Sequence, residues 1–339
     1  MILSVTERSL VAEARRQATQ LAIEQGLGAT DAGRISIIVT ELATNLLKHA
    51  GGGHLSLEPF NDIEGKGVEI LAFDKGPGLA DIQRSLTDGH STAGSAGSGL
   101  GAVRRSADVF AITSSLTKGT AVLARVHADT RQVARNGYTV SSVWAPYPGE
   151  RICGDGWASK VIGNKLVLLM ADGSGHGQLA HDAARRAKEI FEERAGASVE
   201  QVADGIHRAL GATRGAAIGI AEIDPGYGEG PGSVNFVGIG NISAAVIETG
   251  AVRRMVSHNG TAGHVAPRIR MFQYAFKKVP TVILHSDGLT ARWDLSEYPG
   301  LAGAHPSLIA GILFRDYRRG RDDASIVAAR SNFACPPAS

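Results

Sequence analysis

The chain is short of cysteine, of aromatic side chains and of any excess of charge of one sign. Cys153 and Cys335 are its only cysteines, too few for a disulfide framework and in keeping with a reducing cytoplasm. The formal net charge is +2 over 339 residues, and neither side of a division after Ala128 carries the basic excess of a nucleic-acid binder. The longest uninterrupted apolar run, residues 166–171, is six residues, against roughly 20 for a membrane span. The opening MILSVTERSLVAEARRQ has no basic stretch leading into an apolar core. No secretion signal is therefore read there, and a cytoplasmic protein with neither membrane nor nucleic-acid partners is expected. No Gly-x-x-x-x-Gly-Lys-Ser/Thr occurs, which removes P-loop nucleotide binding. Apolar residues at 43% exclude wholesale disorder, and the length suffices for two domains. What abounds is glycine, with 43 residues where average usage gives roughly 24. Many of these glycines stand beside aspartates.

Apolar periodicity predicts a helix over 8–26 and a second, capped by Asp31, running to His49. Strands follow at 54–60 and 68–73, a glycine-filled loop at 88–99, a short helix from Leu100 to Ala107, and strands at 109–115 and 120–127. Residues 128–137 have no apolar periodicity and read as a linker. Beyond it, strands are expected at 138–144, 161–171, 216–223, 233–240, 244–249, 280–286 and 325–330, with helices at 177–194, 199–210 and 306–314. The organisation expected is an α+β domain over 1–127, the linker, a second α+β domain over 138–331, and a short tail over 332–339.

In the first part, Glu41 and Asn45 are four apart and share one helix face away from the apolar stripe. A solvated polar face is the ordinary reading of such a pair. Asp74-Lys-Gly76-Pro-Gly78 follows directly on a strand. That pattern makes a turn, and it also lets a fixed carboxylate accept from an exocyclic amine while glycines admit a flat base. Gly94-Ser-Ala-Gly97-Ser-Gly99-Leu-Gly101 opens into a helix, supplying N–H groups suited to phosphate oxygens. It matches a dinucleotide fingerprint but lacks the preceding strand. Lys48 and His49 are explained by the helix dipole alone.

Taken in order, Glu-x-x-x-Asn, Asp-x-Gly-x-Gly, the glycine-rich lid and Lys118-Gly119-Thr120 resemble the Bergerat-fold (GHKL) ATP-binding kinases. The string TDGHSTAGSAGSGLGAVRRSADVF is similar to the RsbT-like serine kinases of bacterial stress signalling. That resemblance implies an ATP-binding α/β sandwich. Asn45 would coordinate Mg²⁺, and Asp74 would bind the adenine amine. Gly76, Gly78, Gly97, Gly99 and Gly101 would shape pocket and lid, Thr120 would close the adenine side, and Glu41 would be the general base.

In the second part, four aspartates sit on turns: Asp155 in GDGW, Asp172 in ADGSGHG, Asp287 in SDGLTA and Asp322 in RDDAS. Any one Asp-Gly is a hairpin signal. Four together read as an oxygen-rich site for Mg²⁺ or Mn²⁺, because gathered carboxylates need cations to offset their repulsion. Zinc is not expected, since Cys153 has no second cysteine nearby and the histidines lack ligand spacing. The series, with VGIGNISAAVIETGAV between its members, resembles the SpoIIE-type branch of the metal-dependent (type 2C) serine/threonine phosphatases, the RsbX-like members above all. It implies an α-β-β-α sandwich. Two metals would be held by Asp155, Asp172, Asp287 and Asp322 with the Gly173 carbonyl, and a water so activated would attack phosphoserine or phosphothreonine in line. The family pattern favours Asp322 over Asp323. His176 is either a proton donor to the leaving oxygen or a structural turn residue, and Gly240 and Asn241 shape a turn. Arg292, standing where relatives carry an acid, and the loop over Asn259–His264 depart from the pattern. Arg315, Arg318, Arg319 and Arg321 make either a solvated helix end or a patch for a phosphorylated or acidic partner.

Together the resemblances imply a bifunctional signalling enzyme. One domain would phosphorylate and the other dephosphorylate Ser or Thr on a STAS-domain partner of a stressosome or anti-sigma partner-switching module. The alternatives are a phosphatase gated by an ATP-binding partner module, and a non-catalytic scaffold.

Overall fold

A computed structural model describes residues 1–86, 99–128, 137–226, 231–248, 251–266 and 268–332. The chain divides into two compact units, one of Met1–Arg135 with Leu295–Arg315, the other of Asn136–Asp294 with Asp316–Ser339. The expected linker lies largely, and the expected tail almost wholly, outside the described residues.

In the first unit the order is β1 (Ile2–Val5), α1 (Arg8–Glu24), α2 (Ala29–Ala50), β2 (Gly53–Asp62), β3 (Gly65–Phe73), α3 (Ile82–Ser85), α4 (Gly99–Ser106), β4 (Val109–Ser115) and β5 (Gly119–His127). The strands form one antiparallel sheet, β1-β2-β3-β5-β4. Ile35, Ile38, Val39, Leu42 and Leu46 recur at helical spacing along α2 and pack on Leu55, Leu57, Val68, Ile70, Val122 and Val126 of the sheet. Asp31 is not the cap of α2. Gly28 holds that place, and Asp31 lies in the first turn, paired with Arg34 at 3.0 Å, where its charge suits the helix dipole.

The second unit runs β6 (Tyr138–Ala145), β7 (Asp155–Ile162), β8 (Lys165–Gly173), α5 (Gln178–Arg194), α6 (Val199–Ala209), β9 (Ala216–Asp224), β10 (Gly232–Ile239), β11 (Ser243–Glu248), β12 (Ala251–Met255), β13 (Phe272–Phe276), β14 (Thr281–His285) and β15 (Ala324–Ser331). Its two sheets are ordered β13-β10-β9-β8-β7 and β12-β11-β14-β15-β6. The apolar run in β8 explains itself here. Val167, Leu169 and Ala171 join the core beneath α5 and α6, while Leu166, Leu168 and Met170 face Val246, Val282, Leu284 and Val327 of the other sheet. The single strand expected over 161–171 is a hairpin. Gly163, at φ +62°, and Asn164 turn the chain between β7 and β8. The edge strands β12 and β13 escape the periodicity because each is only five residues long and buries a single residue, Met255 or Phe276, at its end.

A last helix, α7 (Pro306–Tyr317), begins with proline at its first position. No local pattern separates its segment from 138–331, yet Leu295–Arg315 groups with the first unit. Period-2 alternation on β3 accounts for this. Val68 and Ile70 face α2, which leaves Glu69, Leu71 and Phe73 on the opposite face. Gly311 of α7 lies against Leu71, Phe314 meets Phe73 edge-on at 6.3 Å, and Ser307 bonds Glu69 at 2.7 Å. All residues over 306–314 are buried. Among the described residues, no helix is long and apolar enough to cross a membrane.

Candidate functional site

The β7–β8 hairpin sets Asp155 directly opposite Asp172. Directly paired residues point to one face, with Cβ atoms about 5 Å apart. Asp155 is 8% exposed. Its Oδ2 accepts from the Ser286 hydroxyl at 2.6 Å, and Ser286 Oγ in turn accepts from the Ser325 N–H at 3.0 Å. Its Oδ1 is buried without a partner among the described residues. Burial above all pushes the Asp155 carboxyl up to about 7, against the Ser286 and Ser325 hydrogen bonds and with the charges of Asp323 and Asp322 adding to it. Asp172 is raised well above the usual carboxylate range, by burial first and then by Asp155, Asp287, Asp322 and Asp323. Asp322 is raised too, by burial and by Asp287.

Asp172, Asp287 and Asp322 line one cavity of about 640 Å³, together with Tyr147, Ser174, His176, Asn241, Asn259, Thr261 and Arg321. Asp287 Oδ2 accepts from the Asn241 amide at 2.7 Å. Asp322 Oδ1 accepts from the Asp323 N–H at 2.9 Å. Asp323, 3% exposed, accepts at Oδ1 from the Tyr147 N–H at 2.8 Å, while its Oδ2 is buried and unpartnered. Among the described residues no lysine or arginine forms an ion pair with any of these five acids, and no three of the molecule's acidic, histidine or cysteine side chains close around one point as a finished ion cage. The donor set nevertheless fits a hard divalent cation: every donor is oxygen, and two carboxylate oxygens are buried with no hydrogen-bond partner among the described residues. Gly173 ends β8 beside Asp172, and its N–H donates to the Gly154 carbonyl at 3.2 Å. Cys153 is buried, and burial raises its thiol out of reach of ionisation.

In the first unit, Glu41 and Asn45 on α2 face the start of α4, where Gly99 comes so close to both that a Cβ there would stand 3.5 Å from each. Asp74 follows β3. Its Oδ1 accepts from the Gly76 N–H at 2.7 Å and the Thr120 N–H at 3.3 Å, and its own N–H donates to the Thr120 carbonyl at 3.0 Å. The Thr120 and Ser114 hydroxyls bond at 2.8 Å. Gly78 must be glycine: its φ is +71° and a Cβ would stand 2.2 Å from the Ser115 carbonyl oxygen. Gly101 is buried in α4. Gly97 lies outside the described residues.

Residues 4–126 match the family of histidine kinase-like ATPase domains. Over 120 residues, 35% of this chain and 90% of the relative, the sequence is 40% identical to the serine/threonine-protein kinase RsbT of Bacillus subtilis. The chain belongs to the RsbT family. A further 76 residues are 33% identical to the phosphoserine phosphatase RsbX of Bacillus subtilis, covering 22% of this chain and 38% of that relative, well under half its length. Among solved structures, RsbX in complex with magnesium aligns with TM-score 0.50 at 20% identity, over 57% of this chain and 95% of that one. A chain from a study of the bacterial stressosome aligns with TM-score 0.52 at 23% identity, over 57% and 99%. At those identities the likeness shows the fold, that of the type 2C phosphatases, so an RsbT-family domain is here fused to an RsbX-like one.

In the RsbX-like unit the structure brings Asp155, Asp172, Asp287 and Asp322 to one place and sets His176 on the cavity wall. The His176 ring stacks on Tyr147 at 4.2 Å, and its Nδ1 stands 3.2 Å from Glu150 Oε1. Arg292 is exposed and does not line the cavity. The four late arginines do not act as one patch. Arg315 donates to the Asp74 carbonyl at 2.7 Å and Arg318 to the Pro146 carbonyl at 3.3 Å, while Arg321 lines the cavity. Sequence reasoning missed Ser286, which stands just before Asp287, and gave Asn241 a turn role although its amide holds Asp287. In both cases a polar donor beside a motif acid was the available signal. The departing loop at Asn259 and Thr261 lines the cavity after all.

Proposed function

We propose that the RsbX-like unit is a divalent-metal-dependent protein serine/threonine phosphatase and the RsbT-family unit an ATP- and Mg²⁺-dependent serine/threonine kinase. Both act on a STAS-domain partner within a partner-switching module of the stressosome or anti-sigma kind. One observation carries the phosphatase reading: Asp155 and Asp172 sit in register with no cationic side chain between them, beneath a cavity shared by Asp287 and Asp322. Asp155, Asp172, Asp287, Asp322 and the Gly173 carbonyl would hold two Mg²⁺ or Mn²⁺ ions, which when bound neutralise the phosphoryl oxygens and lower the pKa of water. Ser286 aims Asp155 by its hydrogen bond, and Asn241 orients Asp287. With Nδ1 at Glu150, His176 turns Nε2 to the leaving seryl oxygen and protonates it as the phosphorus–oxygen bond breaks.

In the kinase unit, Asp74 Oδ1 is taken by backbone N–H groups, which leaves Oδ2 as the oxygen that would accept from the adenine amine. Asn45 would hold Mg²⁺, Glu41 takes the proton of the attacking hydroxyl, Gly76, Gly78, Gly99 and Gly101 would admit the base and phosphates, and Thr120 would close the adenine side. The test is phosphate transfer to and release from a STAS protein with ATP and Mg²⁺ or Mn²⁺. Asn45→Ala is expected to abolish transfer alone and Asp172→Ala release alone. Release that persists in Asp172→Ala removes the metal assignment.

A second reading, in which the RsbT-family unit gates the phosphatase without transferring phosphate, is favoured by the bond from Arg315 to the Asp74 carbonyl. Only six residues separate Arg315 from Asp322. A non-hydrolysable ATP analogue that changes the phosphatase rate of the wild type, but not of Arg315→Ala, supports it.

A further inference from the structure

Arg321 immediately precedes Asp322 and lines the same cavity as Asp172 and Asp287. It is exposed, and among the described residues its guanidinium makes no hydrogen bond or ion pair, although three carboxylates share its cavity. Its neighbours differ. Arg315 and Arg318 are committed to backbone carbonyls, and Arg319 does not line the cavity. Arg321 is thus an uncommitted cation inside an acid-lined cavity.

We infer that Arg321 recognises the phosphoryl group of the substrate, a phosphoseryl or phosphothreonyl side chain. The inference deepens the phosphatase reading and takes its substrate class from it. A phosphomonoester dianion entering this cavity meets Asp172, Asp287 and Asp322. Cations held by those acids offset their charge, but an approaching dianion also needs a donor that the acids have not already claimed. A guanidinium supplies two parallel N–H donors that fit two non-bridging phosphoryl oxygens, whereas an ammonium offers a single point of charge. Because Arg321 is unpaired, taking up phosphate breaks no existing ion pair. Asn259 and Thr261, polar residues on the same cavity, complete the cradle.

The experiment uses the full chain with Mn²⁺ and measures inorganic phosphate binding by calorimetry, alongside steady-state hydrolysis of a phosphoserine peptide. Arg321→Ala is expected to weaken phosphate binding about tenfold or more, the scale of one lost charge-assisted pair. It should raise KM by a similar factor while kcat changes little. Arg321→Lys should fall between, and Arg319→Ala should match the wild type. Unchanged Mn²⁺ binding in Arg321→Ala separates recognition from damage to Asp322. Phosphate binding that is unaltered in Arg321→Ala, absent from the wild type at millimolar phosphate, or lost together with Mn²⁺ overturns the inference. So does a fall in kcat at constant KM. Arg321-dependent phosphate binding by a chain that hydrolyses nothing supports the inference and removes the phosphatase reading.

Discussion

Each unit buries a cluster of acids, and the two clusters are built on opposite plans. In the first, Arg125 is fully buried and donates to Glu69 at 2.6 and 2.8 Å, to Asp62 at 2.9 Å and to Glu64 at 2.8 Å. Ser307 adds a donor to Glu69, and His305 stands 3.2 Å from Glu64. Burial opposes the charge on Arg125, but three carboxylates outweigh it and raise its pKa. No carboxylate oxygen of this cluster is buried and unsatisfied. In the second unit, Asp155 and Asp172 face Asp287, Asp322 and Asp323, no guanidinium is hydrogen-bonded to any of them among the described residues, and Asp155 Oδ1 and Asp323 Oδ2 are buried without a hydrogen-bond partner. A cluster that carries its own counter-charge holds the fold together. One that leaves carboxylates without a paired cation is what the proposed metal site requires.

The comparison breaks most visibly if Arg125 is removed. Arg125→Met strands Glu69 and Asp62 in the interior and is expected to cost the first unit about 3–5 kcal/mol. Denaturant-dependent hydrogen exchange of β3 and β5 amides would measure it. Replacing Arg125, Glu69 and Asp62 together by apolar residues of similar volume should restore most of that loss. The second cluster responds to metal instead. Mn²⁺ at a hundred times its dissociation constant is expected to stabilise the second unit by about 2.7 kcal/mol, an effect reversed by a chelator and absent from Asp172→Ala, while β3 and β5 exchange stays unchanged. Ser286→Ala takes from Asp155 its hydroxyl donor. A loss of about 1 kcal/mol in the second unit and roughly tenfold weaker Mn²⁺ binding by calorimetry are expected.

The smallest effect is on acid stability. Burial would raise the Glu64 carboxyl, but the hydrogen bond and charge of His305 and the charge of Arg125 outweigh it, so Glu64 lies below its ordinary 4.5. A carboxyl depressed on folding stabilises the folded state above that ordinary value, and the gain fades as pH falls through the folded one. Acid titration of β3 and β5 exchange is therefore expected to show stability falling below pH 4.5, with the total loss smaller by under about 1 kcal/mol in Glu64→Gln.

Much of this was legible along the chain. The α2 stripe, the two α+β halves and the order of the four aspartate motifs all follow from local patterning. The facing of Asp155 and Asp172 was legible too, had Gly163-Asn164 been taken as a hairpin turn, because a register centred on that pair carries 155 onto 172. The role of α7 was not legible. Nothing in residues 295–315 marks them as cover for Leu71 and Phe73, since a helix buried all round has no polar face to betray its partner. Likewise, Arg315, Arg318 and Arg321 look alike in sequence and differ only in what lies within reach of each guanidinium.

By itself, then, the sequence determined which residue types sit on which turns and which faces are apolar, because these depend on backbone preferences and on periods of two and 3.6 residues. Only the tertiary structure decided which charges are compensated. Whether a buried carboxylate meets a guanidinium, as Glu69 does, or another carboxylate, as Asp155 does, depends on contacts between segments scores of residues apart, which no local pattern encodes.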